Sequence, residues 1–111
     1  MSKEQYYNKI KKFVYRRFDE LEVVERNDGN TLYLRYKNNG HAEILIKKKS
    51  GEVYYNYEFR DKICKLIRLK KVDFETLLKS WAEDTFQIKV SNTFAGVVNF
   101  TLYVPLIRPQ T

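Results

Sequence analysis

Acid–base or nucleophilic chemistry needs a titratable group held beside a partner, and this sequence offers few candidates. His41 is the only histidine and Cys64 the only cysteine. A Ser-His-Asp or Cys-His arrangement would have to use His41, which follows Gly40 in a turn signal where a general base is poorly held. An exposed turn histidine is the simpler reading. Cys64 follows Ile63 in a helical segment, and a buried, inert thiol accounts for it. Neither an intrachain disulfide nor a Cys/His zinc cluster within one chain is open to this composition.

Carboxylates are no better arranged. Glu43 with Lys47, or Glu52 with Glu58, lacks the close-set carboxylates that metal nucleases use, and a surface ion pair or diagonal contact explains Glu43 and Lys47. Tyr54, Tyr55 and Tyr57 suggest a tyrosine nucleophile, but such enzymes need a metal or a nearby base. A metal-free ribonuclease built from Tyr, Arg and Lys is compatible with the residue types, although no assembled set identifies one. Gly29, Gly40, Gly51 and Gly96 are isolated and suit turns, so no phosphate-cradling loop, nucleotide cofactor or metal is implied.

Binding chemistry is better represented. Tyr33, Arg35 and Lys37 alternate on one strand, with Lys47 and Tyr54 on its neighbours, a combination in which rings stack on bases while cations meet phosphates. Glu43 falls within the same surface and would repel phosphate. A second cluster, Lys62, Lys65, Arg68, Lys70 and Lys71, has Asp61 as the one acid in its segment, unlike a salt-bridge-laced helix. Five cations each neutralising one phosphate of duplex DNA would give a slope of about −4 to −5 in log affinity against log salt.

These side chains must be positioned by the segments that carry them. Between Leu21 and Phe59, three polar-glycine breaks, at Asn27-Asp28-Gly29-Asn30, Asn38-Asn39-Gly40-His41 and Lys49-Ser50-Gly51-Glu52, cut an alternating apolar run. The pattern predicts a four-stranded antiparallel meander over 22–26, 31–37, 42–47 and 52–58. Leu32, Leu34, Tyr36, Ala42, Ile44, Ile46, Val53, Tyr55 and Tyr57 should face the core. Tyr33, Arg35, Lys37, Glu43, Leu45, Lys47, Tyr54 and Asn56 should face out, on a sheet covered on one side only.

An amphipathic helix is predicted over 3–21, with Ser2 as N-cap and Tyr6, Ile10, Phe13, Val14, Phe18 and Leu21 on its apolar side. Lys9, Lys12 and Arg16 project from the opposite side, while Arg17 sits near the stripe, as a snorkelling rim arginine would. A second helix runs over 59–71, and a third begins at Asp73 as N-cap and ends near Asp84. The C-terminal part reads as a strand over 86–90, a loop over 91–96 and a strand over 97–104, ended by Pro105 and Pro109.

A chain of 111 residues fits one domain, and 43% hydrophobic with 15% aromatic content is ample for a core. The net charge of +7 favours polyanions or acidic protein faces. No apolar run approaches the roughly 18 residues of a membrane span, and residues 1–15 carry charges where a secretory signal needs its apolar segment, so a cytoplasmic protein is expected.

The expected fold is therefore a single α+β domain, in the order helix, four-stranded meander, two helices and two strands, with helices on one side of an antiparallel sheet. The expected function is non-enzymatic binding of nucleic acid or a ribonucleoprotein through Tyr33, Arg35, Lys37, Lys47, Tyr54, Lys62, Lys65, Arg68 and Lys71. The alternatives are an inhibitor or adaptor of viral or mobile-element type, occupying an acidic or nucleic-acid-binding surface of another protein, and the metal-free ribonuclease. A homodimer through the last strand is compatible with the first two.

Overall fold

In the computed structural model, which describes residues 2–37 and 39–98, the chain enters through α1 (Lys3–Asp19). Ser2 and Gln5 form a reciprocal capping box, with each side chain bonded to the other's backbone N–H. The hydrophobic side of α1 meets the core through Val14 and Phe18, both fully buried. At its other end the Trp81 indole N–H donates to Asp19 over 2.9 Å and ties α1 to the last helix of the chain's described part.

Four strands then run antiparallel: β1 (Glu22–Glu25), β2 (Thr31–Arg35), β3 (Ile44–Lys47) and β4 (Glu52–Asn56). Gly29, in the first turn, takes the left-handed φ of 67°. Beside it Asp28 accepts from the backbone N–H groups of Asn30 and Thr31 at 2.8 and 3.0 Å. These bonds hold the Asp28 carboxyl below the usual carboxylate range.

Asn56 caps α2 (Tyr57–Ile67) by accepting from the Glu58 N–H at 2.8 Å. Arg68 closes the helix in the left-handed conformation, φ 55°, and α3 (Lys71–Phe86) follows. Asp73 is therefore not the N-cap. Lys70 holds that position without a side-chain bond, and Asp73 lies in the first turn, where a negative charge suits the helix dipole.

The two helices carry the chain across the sheet, so β5 (Asn92–Gly96) lies parallel beside β4 and the order is β1-β2-β3-β4-β5. The sheet is mixed rather than wholly antiparallel. The C-terminal expectation was inverted: 86–90 is not a strand and 92–96 is. Phe86 ends α3 edge-on to Trp81, with centroids 5.6 Å apart, and Ile88 and Val90 pack into the core, so their alternation marks burial without a ladder. Of the strand expected over 97–104, Val97 and Val98 lie outside any strand and the rest falls outside the described residues, with Pro105 and Pro109.

Gly51 makes the return to β4 possible. Its φ is 75°, and a Cβ there would stand 2.2 Å from the Lys89 carbonyl oxygen. The Ser91 N–H donates to the Gly51 carbonyl oxygen at 2.8 Å, so the backbone leading into β5 docks directly on the β3–β4 turn.

The main core lies between the helices and one side of the sheet. Phe18 is its centre, 5.6 Å from Phe74 and 5.1 Å from Trp81, with Leu34, Ile44, Ile46, Val53 and Tyr55 beneath. The Tyr55 hydroxyl bonds the Glu75 carboxylate, and burial together with that bond pushes its pKa to about 12. Cys64 is buried in this layer, and burial raises its thiol pKa.

Candidate nucleic-acid interface

The second side of the sheet is not open. Tyr33, 2% exposed, packs with Leu45, Ala42 and Val98, and Val24 and Tyr54 join them in a smaller apolar layer. β2 is accordingly buried on both sides along most of its length. This corrects the expected one-sided alternation. Val98, just past β5, reaches back over the surface that Tyr33 was expected to present to a ligand.

The pleat also changes phase before β3. Ala42 was expected in the main core beside Ile44, yet it belongs to the layer of Tyr33 and Leu45. The chain bends at Glu43, whose N–H donates to the Leu34 carbonyl and whose own carbonyl accepts from the Asn56 N–H, both at 2.8 Å. An irregular residue at a strand end moves its neighbours to other sides of the sheet.

Glu43 therefore does not share a strand side with Lys47. It lines a cleft of about 330 Å³ with Tyr36, His41, Asn56, Phe59 and Lys62. Burial raises its carboxyl pKa, while His41 and Lys62 oppose the shift. His41 itself is exposed, in keeping with a turn residue. Tyr36 packs edge-on to Phe59, with centroids 6.2 Å apart, on the main-core side. Nothing in the spacing of Tyr36, His41, Glu43 and Lys62 signals this cleft, because it depends on the bend.

The remaining sheet residues are partly engaged. Arg35 pairs with Glu22 at 2.8 Å and donates to the Asn39 carbonyl at 2.8 Å, so its guanidinium holds β1 and the β2–β3 connection together. Lys47 is half-buried opposite Thr31 and Glu52. Tyr54 stacks on Phe94 and donates to Glu52 at 3.3 Å. Lys37 is exposed beyond the end of β2. Tyr33, Arg35 and Tyr54 thus serve the sheet itself, through contacts that pleat alternation cannot foresee.

The α2 cluster is presented differently. Lys62, Lys65, Arg68, Lys70 and Lys71 are all exposed along α2 and the α2–α3 turn. Among the described residues only Lys71 of these reaches a carboxylate, Asp61 at 4.0 Å. Asp61 is held more closely by Arg60, at 2.9 Å. Arg17 has the rim position its spacing suggested, lying over the Phe13 ring at 4.4 Å and paired with Glu20 at 3.0 Å.

Among the described residues no group of three or more His, Cys, Asp or Glu side chains gathers to hold a metal ion, and no helix is long and apolar enough to cross a membrane. Comparison of the chain with protein-family models, with curated proteins and with solved structures found no match in any of the three.

Proposed function

We propose that this protein is a small binding protein, without a reaction of its own, that engages nucleic acid or a ribonucleoprotein in the cytoplasm. The contact is made first by Lys62 and Lys65 of α2, Arg68 at its C-terminal cap and Lys71 at the start of α3, with Lys37 and Lys47 as further phosphate contacts. Supporting this is one observation: Lys62, Lys65 and Arg68 are exposed, and none lies within ion-pair distance of a described carboxylate. Cations in that state release condensed counterions when they meet phosphates, which is the main source of sequence-independent affinity. Tyr33 has no part in it, since its ring is buried; Tyr54 contributes at most the half-buried edge of its stack on Phe94.

A protein partner is the second reading. Leu66, 70% exposed, and Val72, 62% exposed, flank the α2–α3 turn among the same cations, as the anchors of an interface with an acidic surface would. Fluorescence anisotropy of labelled single- and double-stranded oligonucleotides at low salt separates the two. Nucleic-acid binding gives saturable, salt-sensitive signals; the protein-partner reading gives none, and a stoichiometric complex with one acidic protein instead.

A further inference from the structure

α1 carries a second cationic surface, separate from the α2 cluster. With about 100° between successive residues, Gln5, Asn8, Lys9, Lys12 and Arg16 fall in one arc of about 100°, on the side away from the buried Val14 and Phe18. All five are exposed. No acid stands between Glu4 and Asp19, and none of Lys9, Lys12 and Arg16 lies within ion-pair distance of a described carboxylate. The arc borders two adjoining shallow clefts, one lined by Asn8, Lys11, Lys12, Tyr15, Arg16 and Asp19 and the other by Gln5, Asn8, Lys9 and Lys12. At its C-terminal end Asp19 is engaged by Trp81, which limits the free stretch to about 16 Å of helix.

We propose that this side of α1 is a recognition surface for duplex DNA and lies in the major groove. The proposal rests on the nucleic-acid reading above and deepens it, by naming the duplex and a helix other than α2. Charge complementarity selects the occupant: the arc offers three cations to a polyanion, and a solvated helix side with no such role ordinarily mixes both signs. Asn8 is the base-edge reader of the arc, since Asn pairs with adenine N6 and N7, while Lys9, Lys12 and Arg16 meet the phosphates along the groove and Gln5 stays in the capping box. The major groove of B-form DNA, about 12 Å wide, admits a helix, whereas that of A-form RNA is too narrow. A lipid surface does not fit, because it would require apolar side chains in the arc, and Gln5, Asn8, Lys9, Lys12 and Arg16 supply none. The capping box fixes the helix start before any ligand arrives.

The test uses the full chain and three probes of equal length: random-sequence duplex DNA, duplex RNA and single-stranded DNA. An α1 variant combines Lys9→Gln, Lys12→Gln and Arg16→Gln; an α2 variant combines Lys62→Ala, Lys65→Ala and Arg68→Ala. All six positions are exposed, and circular dichroism verifies the fold of both. The α1 variant is expected to lose about tenfold or more in affinity for duplex DNA and to flatten its salt slope by about 2 to 3. Asn8→Ala, which leaves the capping box intact, is expected to erase the base preference found by selection from a random duplex pool. Unchanged duplex-DNA binding by the α1 variant, or an equal loss on all three probes, overturns the groove assignment while leaving the nucleic-acid reading in place. Failure of the wild-type chain to bind any probe at low salt overturns both.

Discussion

The ring of Tyr54 stacks on that of Phe94, with centroids 4.8 Å apart and planes 20° from parallel. The two residues are register partners in the parallel pair β4 and β5, so the stack fastens the last described strand to the meander. An offset aromatic pair of this kind contributes about 0.5–1.5 kcal/mol beyond the area it buries. Tyr54→Ala, Phe94→Ala and the double variant, compared by urea denaturation, should give a coupling energy in that range. A coupling of zero would mean that the stack does not hold β5.

Gly51→Ala should be among the most damaging single substitutions. The left-handed φ alone costs a non-glycine residue about 1–3 kcal/mol. The added Cβ also meets the Lys89 carbonyl at 2.2 Å, backbone that cannot swing aside as a side chain would. Gly29 has a similar φ but open space around it, so Gly29→Ala should cost only the backbone term. Denaturation midpoints of the two variants should differ clearly, with Gly51→Ala lower.

Two carboxyls should move stability with pH in opposite senses. Asp28 is held below the ordinary range chiefly by the N–H groups of Asn30 and Thr31, so its stabilisation is present above that range and is lost as pH falls through the depressed value. Glu43 is raised by burial, so the folded state holds its proton more tightly than the unfolded chain does. Stability then falls as pH rises from the ordinary carboxylate range through the raised value. In thermal melts between about pH 3 and pH 7, Asp28→Asn should lower the neutral-pH melting temperature, and Glu43→Gln should raise it.

Phe18→Ala should cost about 3–5 kcal/mol, the usual range for emptying an aromatic core site. Its ring contacts Tyr15, Phe59, Phe74 and Trp81 from three helices. Equilibrium denaturation measures the loss directly, and a cost below about 1 kcal/mol would contradict this account of the core.

Much of this fold was legible in the chain, because period and turn chemistry act locally. Ser2 caps α1 as its type and spacing suggested, and the strand order of the meander follows from breaks at Gly29 and Gly51 that do adopt positive φ. What escaped was set by distant contacts. The segment 86–90 alternates like a strand, yet its apolar residues are drawn into the core, while Asn92–Gly96 reads as a loop and becomes a strand because β4 offers an unpaired edge. The bend at Glu43 and the cover supplied by Val98 are likewise tertiary, and both contribute to the layer that buries Tyr33. The α2 cations were easier to foresee, since a charged helix side needs only solvent to remain as its spacing implies.

The salt dependence of nucleic-acid affinity tests the central claim most directly. For wild-type protein and the Lys62→Ala, Lys65→Ala, Arg68→Ala variant, log affinity is measured against log salt on one duplex DNA. Binding through these cations predicts a linear fall for the wild type, and a slope shallower by about 0.9 for each phosphate contact removed, or about 2.7 for all three. Equal slopes in the two proteins, or no binding by the wild type at low salt, would contradict it.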